Sequence, residues 1–328
     1  MKVPLKNIGE EDIVQGILKA IEGLEFSSVT FGVSASEQLK MEQRKKVSDF
    51  MVSLGKKVLL DGGDLYLLVN LERGFIESIA QPVYVKGSYN KFSRSVAQTF
   101  HYCFRCRGTG CKNCNGTGKL SEHSVQEICE RSFIPAFNAT ESRFHGCGRE
   151  DVDVRMLGKG RPFILELVEP KKRSADLEKL ENEINSKNPE MVTVHNLSFC
   201  KKEDVAALKN TEFAKIYRAR CVCKGNVSKE NVLGLSGMEI EIVQRTPERV
   251  EKRRSDIERP KSAKIVAVNF ISENEFEADI LSSHGLYIKE FVSGDNGRTV
   301  PSISSLLGKG CVCKELDVLE IVLNENQK

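Results

Sequence analysis

The segment spanning residues 144–163 holds the residue types best suited to chemistry. It reads FHGCGREDVDVRMLGKGRPF, in which Arg149 precedes Asp151 by two positions and Asp153 precedes Arg155 by two. Residues i and i+2 of an extended segment share a face, so Arg149 can orient Asp151 and keep a buried carboxylate ionised. Such a carboxylate is an activated nucleophile or base. The spacing alone slightly favours the alternative, which is a surface loop of paired charges.

A second set of reactive side chains lies in a cysteine-rich run. Cys103, Cys106, Cys111 and Cys114 form two C-x-x-C pairs separated by four residues, with glycines that permit tight turns. Four thiolates leave no open coordination position, so we predict one structural zinc ion rather than a catalytic metal. The alternative is four reduced thiols, but a loop rich in glycine and cysteine has little to order it without a metal.

Basic and aromatic residues alternate in the segment KGSYNKFSR. Lys86, Lys91 and Arg94 lie next to Tyr89 and Phe92 there. Cations beside aromatic rings suit RNA, because the cations contact phosphates and the rings stack on bases. We therefore predict that these three basic residues contact RNA.

The most basic segment covers residues 244–264 and reads QRTPERVEKRRSDIERPKSAK. Its candidate RNA contacts are Arg245, Arg249, Arg253 and Arg254. Acidic residues interleave with them, so a solvated face without a ligand is the alternative.

Two tyrosines occur in strand-like segments that also carry basic residues. AKIYRARC contains Tyr217, and SHGLYIKEF contains Tyr287 and Lys289. A tyrosine in a strand is more often a core residue whose hydroxyl reaches the edge of the core. A role at a site therefore needs support beyond these local patterns.

The composition limits the classes of protein. The chain has 328 residues, 40% of them hydrophobic, a net charge of +3 and eleven cysteines. The length favours two domains with a small additional module. The low net charge argues against coating nucleic acid by bulk charge, although local basic patches remain possible. No apolar run is long enough to span a membrane, and the N-terminus does not resemble a signal peptide. We predict an intracellular protein, cytoplasmic or nuclear, without a disulfide framework.

The predicted elements give an α+β protein. Residues 1–100 mix helices and strands, residues 101–120 form the cysteine-rich module, and residues 121–328 are dominated by strands with few helices. No strict βαβ alternation and no glycine-rich nucleotide loop is present. The elements that position the candidate residues are therefore expected to be the strands of a mixed, mainly antiparallel sheet flanked by helices and loops.

Taken together, these segments resemble the pseudouridine synthases. GRED resembles the R-x-D signature of that superfamily, and IYRA resembles its second motif. GLYIKEF resembles the G-T-Y-I-R segment of the bacterial T-loop uridine synthase. The resemblance is closest to the archaeal and eukaryotic tRNA pseudouridine synthases with a THUMP-like N-terminal domain, and it extends from about residue 80 to the C-terminus. Lys289 stands where the bacterial T-loop enzymes have arginine, and Leu286 stands where threonine is usual.

The resemblance implies an isomerase that converts uridine to pseudouridine in the T-loop of tRNA, at position 55 and possibly also 54. Asp151 would be the catalytic residue, and Tyr217 would stack on the target base. Lys289 would pair with Asp151, with Arg149 and Tyr287 as further substrate-binding residues. The resemblance also implies a THUMP-like RNA-binding domain in residues 1–100 and a synthase catalytic domain in residues 121–328.

The expected partner is tRNA, with no membrane, no small-molecule cofactor and a monomeric state. Zinc would be structural, and catalysis would need no cofactor. The alternative is a zinc-containing tRNA-binding protein without catalysis. A chaperone-like protein is disfavoured, because the H-P-D signature of J-type helices is missing from the sequence.

Overall fold

The structure is a computed structural model that describes residues 1–7 and 9–322, apart from the side chains of residues 252 and 253. Its strands form two sheets. Within the described residues, no helix is both long enough and apolar enough to cross a membrane.

The N-terminal part of the chain forms a five-stranded sheet with two helices, α1 (Glu10–Ile21) and α2 (Glu37–Ser53). In spatial order its strands are β1 (Lys2–Pro4), β5 (Phe75–Ala80), β4 (Leu65–Asn70), β2 (Ser28–Ser34) and β3 (Lys57–Val58). Helix α1 starts with three acidic residues, which favour a helix N-terminus. Its buried Ile13, Ile17 and Ala20 recur at helical spacing and pack in the core of this unit.

The remaining strands form a ten-stranded sheet. In spatial order they are β14 (Thr299–Val300), β11 (Glu239–Arg245), β12 (Glu258–Ser272), β13 (Glu275–Ser282), β10 (Ala214–Cys223), β15 (Cys311–Val322), β8 (Val154–Val168), β6 (Val83–Lys91) and β9 (Val192–Cys200), with β7 (Glu141–Gly146) paired to β8. The β15–β8 pair is parallel, and the other pairs of this sheet are antiparallel. The predicted mixed, mainly antiparallel α+β fold is therefore confirmed. Strand β6 lies within the predicted range 1–100 but belongs to this larger sheet.

Helices cover the large sheet and connect its strands. They are α3 (Val125–Phe137), α4 (Leu177–Lys187), α5 (Lys202–Asn210), α6 (Lys229–Leu233), α7 (Ile288–Ser293) and α8 (Ile303–Leu307). Helix α3 begins after Ser124, whose hydroxyl accepts a hydrogen bond from the backbone N–H of Glu127. Its buried face, which includes Ile128 and Phe133, packs in the main core.

Candidate active site

Asp151 lies in the loop between β7 and β8. Gly148 turns the backbone with a φ of 74°, and residues 152 and 153 form a turn. The ammonium of Lys91 is fully buried and donates hydrogen bonds to the carbonyl oxygens of Val96, Asp151 and Val152 at 2.9, 3.3 and 2.7 Å. This lysine therefore fixes the backbone from which the Asp151 carboxylate projects.

Two cations contact the Asp151 carboxylate. Its Oδ2 lies 3.1 Å from Arg249 Nη1 and 3.4 Å from Lys289 Nζ. The predicted Arg149–Asp151 pair does not form, because residues 149–151 are not part of a strand and the two side chains do not share a strand face. Arg149 is exposed and lines the same cleft without an ion pair to Asp151. The Asp151 side chain is 43% exposed, so the buried carboxylate expected from the sequence is not observed either.

Lys289 connects two carboxylates of this loop. Its Nζ donates to both oxygens of Asp153 at 2.8 Å while it stays near Asp151. Burial alone would raise the pKa of the Asp153 carboxyl, but the hydrogen bonds and the charge of Lys289 outweigh it and lower that pKa below its usual value. Lys289 lies in the first turn of helix α7, so the position of this helix sets the position of the amine.

Arg249 links the Asp151 loop to helix α7. Its Nε donates to the buried Glu290 at 2.6 Å while its Nη1 faces Asp151. The guanidinium carbon also lies 5.8 Å from the centroid of the Tyr287 ring. The sequence singled out Arg249 as an RNA contact, whereas the structure places it against the candidate catalytic carboxylate.

Tyr217 lies on β10 and lines the same cleft as Asp151. Burial raises the pKa of its phenol, so the ring enters the cleft as a neutral, partly apolar surface. Tyr287 also lines the cleft, and its backbone N–H donates to Gln244 Oε1 at 2.8 Å. Tyr217, Lys289 and Asp151 thus come together although they are far apart in sequence.

A buried ion pair lies beneath the Asp151 loop. Arg161 Nε is 2.9 Å from Glu150 Oε2, and both side chains are 1% exposed. Tyr89 donates its hydroxyl to Glu150 at 2.8 Å, and Gln98 donates to the Tyr89 hydroxyl and to the Gly148 carbonyl. Glu150 is adjacent to Asp151, so this network anchors the candidate catalytic residue from below. Sequence reasoning missed Glu150, although it stands inside the GRED motif.

Positive charge dominates the cleft. Its lining includes six basic residues, which are Arg149, Arg161, Lys215, Arg249, Arg254 and Lys289, and two acidic ones, which are Glu150 and Asp151. The cleft holds about 240 Å³, which is below the range of roughly 300–1,000 Å³ of pockets for larger ligands. A small cleft with excess positive charge suits a single nucleotide with its phosphate.

Lys215 is a cleft residue that the sequence analysis did not single out. It precedes Tyr217 by two positions on β10 and therefore points to the same side of the sheet. Burial lowers the pKa of its ammonium to about 8, and the nearby Arg161 acts in the same direction. The sequence does contain a signal for Lys215, which is its position two residues before Tyr217 in AKIYRA.

The predicted RNA contacts do not form one surface. The prediction for Lys91 is wrong, because its ammonium is fully buried and bonded to carbonyl oxygens. The Arg94 guanidinium forms ion pairs within the protein, with Asp317 at 2.8 Å and with Glu315 at 3.0 Å. Lys86 is exposed on β6 and lies outside the cleft lining.

The remaining predicted contacts lie at the end of β11 and in the segment that follows it. Arg245 is at the end of this strand and pairs with Asp256, while Arg254 lines the cleft. The side chain of Arg253 lies outside the described residues. Only Arg249 and Arg254 of the seven predicted RNA contacts therefore line the Asp151 cleft, within the side chains that the structure describes.

The four cysteines of the 103–114 run converge on one point. Their sulfurs lie within 4.8 Å of one another, with Cys103–Cys111, Cys106–Cys114 and Cys111–Cys114 at 3.8, 3.7 and 3.8 Å. Sulfurs at the corners of a tetrahedron around zinc, about 2.3 Å from the metal, would be roughly 3.8 Å apart. The four sulfurs thus fit a single tetrahedral metal ion.

Backbone amides support the same interpretation. The N–H groups of Gly110, Cys111 and Gly118 point at cysteine sulfurs at 3.2 Å. Such donors favour sulfur as the thiolate, which is the form that binds metal.

The chain is similar in sequence to known proteins. The family described as "Pus10, C-terminal" matches residues 84–322. The "tRNA pseudouridine synthase Pus10" of Methanocaldococcus jannaschii is 48% identical over 243 residues, which are 73% of this chain and 53% of that protein. The protein of the same name from Korarchaeum cryptofilum is 40% identical, over 93% of this chain and 88% of that protein. The chain thus spans about half the length of the first relative and most of the second.

Among solved structures, one chain of a Cbf5-Nop10-Gar1 complex is similar with a TM-score of 0.36 and 17% identity, over 60% of this chain and 44% of that one. This likeness is too weak to carry an argument about the site. The family match covers the large sheet except its first residue, Val83, and includes the Asp151 cleft; relatives at 40–48% identity extend the similarity over most of the sequence. The chain therefore belongs to the Pus10 family, whose curated relatives are named tRNA pseudouridine synthases.

Proposed function

We propose that the chain is an isomerase that converts uridine to pseudouridine in tRNA, with Asp151 as the catalytic residue. The observation that carries this proposal is the contact of the Asp151 carboxylate with both Arg249 and Lys289, in a basic cleft that Tyr217 also lines. Family membership supports the same activity, since the curated relatives carry that name. No observation favours the alternative of a tRNA-binding protein without catalysis.

Binding begins with removal of the target uridine from its stack. Flipping a base out of an RNA loop costs about a few kcal/mol. Stacking on an aromatic ring offsets about 1–3 kcal/mol per base, which is the role proposed for Tyr217. The basic residues of the cleft then contact the phosphates that flank the flipped nucleotide.

The chemical step needs an ionised carboxylate next to the ribose. Asp151 acts either as a nucleophile or as a base at the ribose, and the bond from N1 of uracil to C1′ breaks. The uracil rotates while it is still held, and its C5 bonds to C1′. C5 then loses its proton and N1 gains one, so the product is an isomer of the substrate. No cofactor enters this sequence of steps.

Arg249 and Lys289 keep Asp151 reactive when RNA covers it. A carboxylate that becomes buried without a partner takes up a proton, because burial disfavours its charged form. Asp151 is 43% exposed in the protein alone, so bound RNA would remove much of its contact with water. The two cations are already in contact and compensate for that loss.

The substrate position follows from the family resemblance. We propose the T-loop of tRNA, at position 55 and possibly also at 54. The test uses tRNA transcripts in which the T-loop uridines are changed one at a time, with pseudouridine detected by carbodiimide-based primer extension. Loss of the signal with the position-55 change supports the assignment, whereas an unchanged signal from both changes moves the target to another part of the tRNA.

The other parts of the chain would hold RNA and stabilise the fold. We propose that Cys103, Cys106, Cys111 and Cys114 bind one structural zinc ion, because their sulfur geometry fits it. We also propose that the N-terminal unit is a THUMP-like RNA-binding domain, followed by the cysteine-rich module and the catalytic domain. The monomeric state and the cytoplasmic or nuclear location stay predictions.

A further inference from the structure

Two buried cysteines outside the cleft lie directly opposite each other on adjacent strands. Cys223 is the last residue of β10 and Cys311 is the first residue of β15, and the antiparallel register pairs them. Their side chains are 4% and 2% exposed, and the two sulfurs lie 2.6 Å apart. Nothing in the proposed tRNA chemistry uses these thiols.

The hydrogen-bond pattern places this pair at a position that suits a cross-strand disulfide. The N–H of Lys224 donates to the carbonyl of Gly310 at 2.7 Å, so Lys224 and Gly310 form a hydrogen-bonded pair. Pairs alternate along an antiparallel ladder, and Cys223–Cys311 is therefore a non-hydrogen-bonded pair. The Cα atoms of such pairs are about 4.5 Å apart, within the span of about 4.4–6.8 Å that a disulfide bridges.

The burial of the two thiols does not isolate them from a reagent in solution. The exposed residues 224–226 follow Cys223, and the exposed residues 308–310 precede Cys311. Both cysteines therefore lie at the same end of the strand pair, next to exposed residues, where local opening of the ladder would expose them.

We infer that Cys223 and Cys311 form an oxidation site that closes into a cross-strand disulfide by exchange with a small-molecule disulfide. One thiol loses its proton and attacks the small-molecule disulfide, which forms a mixed disulfide and releases one small thiol. The second cysteine then attacks the mixed disulfide, forms the Cys223–Cys311 bond and releases the second small thiol. The two protein thiols are oxidised, and the small-molecule disulfide is reduced to two thiols.

The bond would join positions 88 residues apart in the centre of the large sheet. Strand β10 carries Tyr217, and β15 pairs with the start of β8, directly after the Asp151 loop. A crosslink over such a long loop restricts the unfolded chain strongly, so the main expected effect is a higher Tm of about 5–15 °C.

The first test is peptide mapping of the full chain after incubation with oxidised glutathione, with alkylation in denaturant before digestion. The expected product is a peptide pair that joins Cys223 to Cys311 and weighs two hydrogens less than the separate peptides. Full alkylation of both residues overturns the inference. A bond from either residue to Cys221 or Cys313 overturns it as well.

The second test compares Tm before and after reduction of the oxidised protein. The Tm of the oxidised wild type should fall by about 5–15 °C on reduction. The Tm of Cys311→Ala should not change on reduction. Cys129→Ala, which removes a buried thiol of helix α3, should keep the wild-type difference. An equal Tm difference in the wild type and in Cys311→Ala contradicts the inference. Should Cys311→Ala not fold, the mapping of the wild type decides alone.

Discussion

Arg249 lies 3.1 Å from Asp151 through Nη1 and Oδ2, although 98 positions separate them in the sequence. The same guanidinium bonds to the buried Glu290 at 2.6 Å, which holds it against helix α7. Asp151 is thus oriented by a residue from the segment after β11, and not by its neighbour Arg149. The position of the proposed catalytic carboxylate therefore depends on the packing of three separate parts of the chain.

Removal of this guanidinium should slow the reaction. Hydrogen bonds to charged groups contribute about 1.5–3 kcal/mol, so Arg249→Ala should lower the single-turnover rate about 10- to 100-fold at saturating tRNA. Arg218→Ala is the matched control, since Arg218 is on the other face of β10 and pairs with Asp279. It should stay within about twofold of the wild type, because exposed pairs contribute about 0–1 kcal/mol.

Arg249→Ala also leaves the buried Glu290 without its partner. The double variant Arg249→Ala/Glu290→Gln removes that carboxylate charge and should be as slow as the single variant. A wild-type rate in either variant contradicts the role given to Arg249.

Lys91 should affect stability rather than RNA binding. Lys91→Met removes the lysine hydrogen bonds from three carbonyl oxygens, of which, among the described residues, only that of Asp151 keeps another donor, the Val154 N–H. The free energy of unfolding should therefore fall by about 2–4 kcal/mol in urea denaturation. The logarithm of the tRNA binding constant falls linearly with the logarithm of the salt concentration, and each lost phosphate contact would lower the magnitude of that slope by about 0.7–0.9. We expect no such change for Lys91→Met. A lower slope with unchanged stability restores Lys91 as an RNA contact.

Lys215 should make stability depend on alkaline pH. Burial lowers the pKa of its ammonium from 10.5 to about 8 in the folded protein. Between these values the unfolded chain binds more protons, so this lysine makes stability rise with pH. Lys215→Met removes this pH dependence. The free energy of unfolding of the variant minus that of the wild type should therefore be about 2–3 kcal/mol larger at pH 7 than at pH 10. Urea denaturation at both pH values measures this, and an equal difference at both would refute the buried, shifted lysine.

Metal analysis should find about one zinc ion per chain in freshly purified protein. Cys106→Ser should lose this metal, because three sulfurs no longer complete the tetrahedral set. Cys200→Ser is the control, since Cys200 ends β9 and is not part of the cluster. Purified wild type without zinc, or Cys106→Ser with full zinc, contradicts the proposed site.

Local sequence patterns predicted the elements that local interactions decide. Apolar residues at helical spacing in residues 11–22 predict α1, and the sequence offers Ser121 or Ser124 as the cap of α3, where the structure has Ser124. Each of these signals depends on residues within one or two turns. The segment SADLEKLENEINSK predicts a helix that begins at Ser174, but α4 starts at Leu177 after Asp176. The Ser174 hydroxyl instead bonds to Glu25 at 2.6 Å, a contact between distant parts of the chain that no local pattern reveals.

The site was predictable in its residue types and only partly in its pairings. The motif resemblance predicted that Asp151, Tyr217 and Lys289 belong to one site, and in the structure all three line one cleft. The pairing of Arg149 with Asp151 assumed an extended segment, whereas residues 149–151 are not in a strand and Lys91 holds the turn that starts at Asp151. Arg94 was expected to contact RNA, but it bonds to Asp317 in a strand at the other end of the sequence.

The most direct test of the account is pseudouridine formation by Asp151→Ala and Asp151→Asn on a tRNA transcript, with tRNA binding measured in parallel. Both variants should form no detectable pseudouridine and should bind tRNA within a fewfold of the wild type, because the basic cleft stays in place. Asp153→Asn is the control and should keep measurable activity, since Asp153 bonds Lys289 but is not the proposed catalytic residue. Wild-type levels of pseudouridine from either Asp151 variant would contradict the account.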